Sequence, residues 1–517
     1  MGTAAAARAG WREWAGFGVL ALPTVLLGLD VTALYLLVPS LAADLRPSAT
    51  ETLWIMDAYG FLIAGFLITM GTLGDRIGRR RLLMIGVAAF GAASVLAAFA
   101  PSALWLIVAR ALLGVAGATL MPSTLSLISN MFSDARQRAV AIGAWATVFA
   151  LGMAAGPVVG GALAASFWWG AAFLIAVPVS VIVLVAAPRL LPEFRTEAGR
   201  LDLPSVGLSL AAMLPIIYAI KHLAAHGVDV QAGAAVLLGA GSAVAFVRRQ
   251  LRLQEPLLDI RLFANRAFST ALSVLLIGLV GFGGMMFLIT QHLQLVGGLS
   301  PTAAGLWMVP PALAMLIGGI GAPLIATRFP PGVVMGSVLA LSLVGYVLLA
   351  LAGTDSRLSV VVGFGFLYLG LGVIAALGTD IVVGAAPSER SGAAAALSET
   401  AQELGVAAGV ALLGSLTTAV YRTAVEDQSG LTGVVAESYG DSLSGAASVA
   451  DQLPAGALRL AQDAFSHGLN LAAIAAGAGI AGASVACLRT LRHIRPIGGA
   501  DAGTEPIAST RVSGDDR

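Results

Sequence analysis

Fourteen apolar runs, each near the length that crosses a bilayer, divide this 517-residue chain, and its polar residues gather in the breaks between them. A helix spanning the hydrocarbon core needs about 20 mostly apolar residues, and in lipid only a helix or a closed barrel satisfies its own backbone. The runs are too long for barrel strands. They predict fourteen transmembrane helices at about 16-39, 51-72, 82-100, 104-128, 138-165, 168-187, 203-222, 232-247, 267-290, 302-326, 332-352, 358-386, 391-421 and 465-488.

The arginines orient these spans. With the N-terminus inside, the inner breaks collect Arg76, Arg79, Arg80, Arg81, Arg136, Arg138, Arg189, Arg195, Arg200, Arg248, Arg249, Arg252, Arg261, Arg266, Arg328 and Arg390, and the tail adds Arg489, Arg492 and Arg495. The outer breaks keep Arg46, Arg357, Arg422 and Arg459. One missed or extra span would scramble that asymmetry, so it supports the even count and predicts both termini in the cytoplasm. The resulting organisation is a six-helix bundle over 1-200, two linker helices over 201-250, and a second six-helix bundle over 251-488. An acidic outer loop at 422-464 reads as a partly ordered hairpin. The polar stretch 489-517 reads as a disordered cytoplasmic tail. A faint repeat pairs the break Thr327 to Gly332, after the tenth span, with Gly71 to Arg81, after the second. Repeated halves are what alternating-access transporters are built from.

Composition agrees: 58% of residues are hydrophobic, 11% are charged and mean hydropathy is +0.90, against roughly a quarter charged in soluble domains. The fold class is an all-α integral membrane protein in a lipid bilayer, with no nucleic-acid partner and no long soluble domain. A single cysteine, Cys487, excludes a disulfide framework, and the five histidines show no metal-ligand spacing. No GxxxxGK[ST] occurs, and the chain's lone lysine, Lys221, falls at the outer end of the seventh span. A P-loop ATPase is therefore excluded. Gly477 to Gly482 fits GxGxxG, but within an apolar span with no strand before it. With no nucleophile–base pair, the chain reads as a non-enzyme without metal or cofactor.

Charges inside the apolar runs are the candidate chemistry, because each is expensive in lipid unless paired, solvated or protonated. Asp30 lies in the first span and Asp57 in the second, at similar depth. A carboxyl group there can hold a proton and surrender it when a cation stabilises the anion, which is what an antiporter requires. A structural acid bonded to a neighbouring helix would look the same in sequence. Arg110, in the fourth span, falls near the depth of both acids, so an ion pair within the first bundle is predicted. Glu399 and Glu403 are four residues apart and share a helix face. Trp54, Tyr59, Trp145, Phe149, Phe282 and Trp307 are candidate faces for a cationic ligand. Gly152, Gly156, Pro157, Gly160 and Gly161 give the fifth span a smooth, bendable face for close helix packing. In the break after the second span, Gly71, Gly74 and Gly78 permit a tight turn, Asp75 can accept bonds from helix N-termini or from arginines across the interface of the halves, and Arg76 and Arg79 can pair with acids or headgroups.

Several of these segments together resemble the major facilitator superfamily, in its fourteen-helix drug:proton antiporter branch. Gly71-Thr-Leu-Gly-Asp-Arg-Ile-Gly-Arg-Arg-Arg81 is similar to the superfamily's loop after the second helix. Leu29-Asp-Val-Thr-Ala-Leu-Tyr-Leu-Leu-Val-Pro39 and Leu53-Trp-Ile-Met-Asp-Ala-Tyr59 resemble the branch's first- and second-helix motifs. Arg110 to Gly117, Gly152 to Gly161, and Ser398 to Gly405 resemble those of the fourth, fifth and thirteenth helices. The resemblance implies two six-helix bundles with two extra central helices, no cofactor, a monomer in a bacterial cytoplasmic membrane, and proton-coupled export of quaternary ammonium compounds, cationic dyes and related drugs. Some such exporters carry an acid midway along the tenth helix, where this chain has Met315. Two alternatives stay open: an exporter of one endogenous or neutral antibiotic, and a solute:proton symporter.

Overall fold

The computed structural model describes residues 9–195, 202–253, 256, 258, 260–386, 391–426, 431–494 and 496. Arg200, Arg390 and Arg495, named above, and the tail from 497 onward lie outside the described residues. Fourteen helices are long and apolar enough to cross a membrane: spans 1 to 7 at Trp11–Leu45, Ala49–Ile77, Arg79–Ala98, Ala103–Met131, Val140–Ser166, Ala171–Leu190 and Leu203–Leu223, and spans 8 to 14 at Val230–Arg252, Arg266–Val296, Pro301–Ala326, Pro331–Ala350, Arg357–Gly384, Ala394–Val425 and Ala457–Leu491. The chain is a multi-pass membrane protein. Many helices run beyond the apolar windows because polar caps, not hydropathy, end them. Ser48 and Glu51 form a reciprocal capping box at span 2, Asp202 and Asp229 cap spans 7 and 8, and Asn265 and Ser300 cap spans 9 and 10.

Two expected breaks differ from their reading. Gly71 to Arg81 is not an eleven-residue loop: span 2 stays helical to Ile77, span 3 begins at Arg79, and Gly78, at φ 110°, is the lone break. Glycines and arginines look like a turn in sequence, yet a helix ending in water accepts both. The acidic loop after span 13 holds two short helices, Gly433–Asp441 and Leu443–Ser448. They are fastened by Tyr421 donating to the Tyr439 carbonyl at 2.8 Å and Tyr439 donating to the Ala457 carbonyl at 3.0 Å.

Helix neighbours repeat with an offset of eight. Span 1 packs on 5 and 6, span 4 on 2 and 3, and span 3 on 6; likewise span 9 packs on 13 and 14, span 12 on 10 and 11, and span 11 on 14. That recurrence carries the internal repeat that a single pair of short breaks only hinted at. Spans 7 and 8, central in sequence, are peripheral in space: they pair with each other, and span 7 lies along spans 2 and 13. Spans 1 and 9, 2 and 13, and 5 and 10 join the two halves. Several of these joints lie toward the face opposite the arginine-rich breaks, where Gln294 donates to the Leu36 carbonyl at 3.2 Å and Thr302 to the Gly161 carbonyl at 3.1 Å.

Candidate functional site

Asp30 and Arg110 meet at 2.7 Å between spans 1 and 4, with side chains 12% and 3% exposed. A guanidinium buried this deeply needs more than one partner. Arg110 Nε also donates to the Ile55 carbonyl at 3.2 Å, and its carbon lies 4.4 Å from the centre of the Tyr59 ring. Span 2 thus supplies both a carbonyl and an aromatic face to a cation held by spans 1 and 4. Removing one partner of so buried a pair costs about 3–5 kcal/mol, because the other charge stays behind uncompensated.

A narrow crevice of about 20 Å³, room for little more than a water molecule, opens beside this pair, lined by Tyr35, Met56, Tyr59, Arg110, Glu403 and Val406 among others. Its walls come from both halves of the molecule. Glu403 is brought to Arg110 across the joint between spans 2 and 13, where Gly60 faces Ala407 closely. Glu399, one turn nearer the arginine face, is not among the residues lining the cavity.

Asp57 goes elsewhere. At 100° per residue it lies about 200° round span 2 from Tyr59, so it points away from Arg110's face and toward span 7. There its carboxylate is fully buried and 2.8 Å from the ammonium of Lys221, itself 1% exposed. The Lys221 nitrogen lies 3.9 Å from the centre of the Trp54 ring, one turn before Asp57. Phe61, Ile217, Ala407 and Ala411 form a small apolar core alongside, packed by Trp54, Met213 and Leu404. Position at the end of an apolar run suggested a lysine at the membrane rim. Docking of span 7 on span 2 carries it inward instead, and the available signal was the one applied to Arg110, a lone cation inside an apolar run.

The glycines of span 5 serve two neighbours. Gly152, Gly156 and Gly160 face span 1, where a Cβ on Gly152 would stand 2.5 Å from the Val25 carbonyl, and the Thr32 hydroxyl donates to the Met153 carbonyl at 2.8 Å. Pro157 and Gly161 face the start of span 10, where a Cβ on Gly305 would stand 2.5 Å from the Pro157 carbonyl. Span 5 therefore packs closely on span 1 within one half and forms a joint to the other.

At the arginine face, Asp75 pairs with Arg79 at 2.6 Å, four residues on, rather than reaching across the halves. The continuous helix up to Gly78 sets the two side by side. Glu193, which the sequence reading passed over, accepts from the Arg80 backbone N–H at 3.0 Å, and the Phe194 carbonyl accepts from Arg79 N–H at 3.0 Å. The segment after span 6 thus caps the start of span 3. Gly74 packs on the Arg79 side chain, whereas Gly71 stands clear, its nearest neighbour being Pro122 at 4.0 Å, and Arg76 is exposed.

The aromatic candidates divide. Tyr59 and Trp54 each face a buried cation. Trp145 donates to the Thr124 hydroxyl at 3.2 Å, and Phe149 packs against the core. Phe282 stacks on Phe364 and meets Tyr368 edge-on at 5.1 Å inside the second half. Trp307 lines a cleft near the face opposite the arginines, with His292, Asp355 and Arg357. Neither cavity nor cleft is lined by three or more grouped His, Cys, Asp or Glu residues able to hold a metal among the described residues.

A family model described as Major Facilitator Superfamily matches residues 20–410. The chain is 46% identical over 481 residues to the multidrug efflux pump LfrA of Mycolicibacterium smegmatis, covering 92% of this chain and 95% of that protein. It is 34% identical to the methyl viologen resistance protein SmvA of Salmonella typhimurium, covering 88% and 93%. It is 32% identical to the tetracenomycin C resistance and export protein of Streptomyces glaucescens, covering 78% and 76%. Among solved structures, an inward-facing, unoccupied bacterial homologue of the human lysosomal transporter Spinster shares the fold at a TM-score of 0.65 and 16% identity, covering 93% of this chain and 97% of that one.

Proposed function

The chain belongs to the major facilitator superfamily, and from that premise we propose that it is a proton-coupled multidrug efflux antiporter. Its cargo is lipophilic organic cations, quaternary ammonium compounds and cationic dyes among them. The observation that carries this reading is one cavity facing Arg110 and Tyr59 from the first half and Glu403 from the second, with Asp30 held against Arg110. Charge bookkeeping shows why such a set suits exchange. Asp30 and Arg110 cancel, so the cavity is neutral when Glu403 is protonated. A monovalent cation restores neutrality only if Glu403 gives up its proton. Proton and cation therefore exclude each other at one group, and once the halves part to widen the crevice, Tyr35 and Tyr59 offer faces for the cation's apolar body.

Alternating access follows from how the halves are joined. The joints toward the face opposite the arginines must open for release, and the glycine face of span 5 lets spans 1 and 10 shift without a gap. The Asp75–Arg79 pair and the Glu193 cap hold the arginine face of the first half rigid during that rocking. The arginine distribution supports both termini in the cytoplasm, so cargo leaves outward, and the bacterial source of the similar pumps supports a bacterial inner membrane. Both walls of the cavity come from one chain, which suits a monomer. The names of the similar pumps support export, and methyl viologen is itself a quaternary nitrogen cation.

Everted vesicles provide the test. Wild-type protein should accumulate ethidium or benzalkonium when the lumen is acidified, and Asp30→Asn should lower the rate at least tenfold. Wild-type vesicles that move neither cation would end this reading in favour of an exporter of one neutral antibiotic, toward which the similarity to a tetracenomycin C export protein leans.

A further inference from the structure

Two buried ion pairs sit on opposite faces of span 2, and they are not alike. Arg110 has a carboxylate, a carbonyl and a ring. Lys221 has the Asp57 carboxylate at 2.8 Å and the Trp54 ring at 3.9 Å, and beyond each other neither its nitrogen nor the Asp57 oxygens have a hydrogen-bond partner among the described residues. A buried pair with no further hydrogen bonds to either charge stabilises a fold no better than apolar side chains of the same volume would. Stability alone does not account for it. A carboxylate beside an indole face is, however, the set of groups that recognises an organic cation.

We propose that Trp54 and Asp57 form a second cation site, occupied in the resting protein by the chain's own ammonium, and that Lys221 is a tethered competitor which an incoming lipophilic cation displaces. The chemistry balances. The resting site holds Asp57 as carboxylate and Lys221 as ammonium. When a monovalent cation takes the place against Asp57 and Trp54, Lys221 leaves as the neutral amine and its proton passes to solvent, so the site's net charge is unchanged. Lysine suits this role because a buried ammonium gives up its proton, whereas a guanidinium does not. Asp57 is the charged group acting on Lys221, and Arg110 acts on Asp57 from the far side of span 2. The location fits a first stop for cargo arriving through lipid. Span 7 is peripheral and only 22% of its apolar window is buried inside the protein, so the seam of spans 2, 7 and 13 lies between bilayer and central cavity.

The inference rests on the proposed export of cations, and the test separates the two. Tetraphenylphosphonium binding to purified full-length protein is measured by calorimetry at neutral pH for wild type, Asp30→Asn, Lys221→Met, Lys221→Arg and Lys221→Met/Asp57→Asn. Removing the competitor in Lys221→Met should tighten binding at least tenfold, and the double variant should lose that gain. Lys221→Arg, which keeps a cation unable to shed its proton, should bind at least tenfold more weakly than wild type; it carries the test if Lys221→Met does not fold. Equal affinity in wild type, Lys221→Met and Lys221→Arg, with binding still reduced by Asp30→Asn, overturns this inference alone. No binding by any of the proteins overturns it together with cation export.

Discussion

Gly152 sets how closely spans 1 and 5 approach, and Gly152→Ala changes that distance by one methyl group. A Cβ there would lie 2.5 Å from the Val25 carbonyl oxygen, 3.2 Å from Gly28 Cα and 3.2 Å from Leu29 N. Ordinary contact is about 3.5 Å, so span 1 must retreat by about 1 Å from the nearest atom. All three obstacles are backbone, which no rotamer change relieves. The retreat stretches the Thr32 bond to the Met153 carbonyl and draws Asp30, two residues past Gly28, away from Arg110. Overpacking of this kind costs about 1–3 kcal/mol, against at most about 1 kcal/mol gained by alanine over glycine inside a helix. Gly143→Ala, on the same helix, is the control, because nothing stands within 4 Å of its Cβ and only the gain remains. Purified variants heated in steps and assayed for the fraction still monodisperse should separate: Gly152→Ala fails several degrees below wild type, and Gly143→Ala holds at or above it. If Gly152→Ala proves as heat-resistant as Gly143→Ala, close backbone packing is not what Gly152 provides.

Gly78→Ala should destabilise the arginine face, since φ there is 110° and the new methyl would collide with the Glu193 carboxylate; Gly78→Ala/Glu193→Ala should recover part of the loss in the same heating assay, and no recovery would discount the collision. Arg110→Lys should cut ethidium efflux at least tenfold while keeping the charge, because an ammonium cannot reach Asp30, the Ile55 carbonyl and the Tyr59 face in one geometry; full activity would make Arg110 a plain counter-charge. At the start of span 7, hydrogen bonding from Arg249, 2.7 Å away, holds the Asp202 carboxyl below the usual carboxylate range. A depressed folded-state pKa adds stability above about pH 3.9, the unfolded value, and that stability fades as pH falls through the folded value. The stability gap between wild type and Asp202→Asn should therefore be flat from neutral pH to about pH 5 and close in stronger acid; a gap that widens in acid contradicts the assignment.

Hydropathy made the fourteen spans legible because lipid leaves a chain few ways to satisfy its backbone. Helix rise alone brought Arg110 level with Asp30. What periodicity cannot supply is which helix lies against which. Lys221 therefore looked like a rim residue until span 7 was seen docked on span 2, and Asp57, grouped with Asp30 by depth, turned out to face the opposite way around its helix. Asp75 was read toward helix N-termini or arginines across the halves; the expected tight turn is made by Gly78 alone, which leaves Asp75 on a continuous helix beside Arg79. Glu193 left no trace in the sequence pattern, since its role depends on the segment after span 6 folding back onto the start of span 3.

Glu403 in proteoliposomes bears most directly on the central claim, that proton and cargo exchange at a carboxylate shared between the halves. With an imposed pH gradient, wild-type protein should drive ethidium against its concentration gradient and stop when an uncoupler is added, while Glu403→Gln, folded and still binding ethidium, should show no response to the gradient. Glu403→Gln transport that follows the pH gradient as well as wild type would contradict the account.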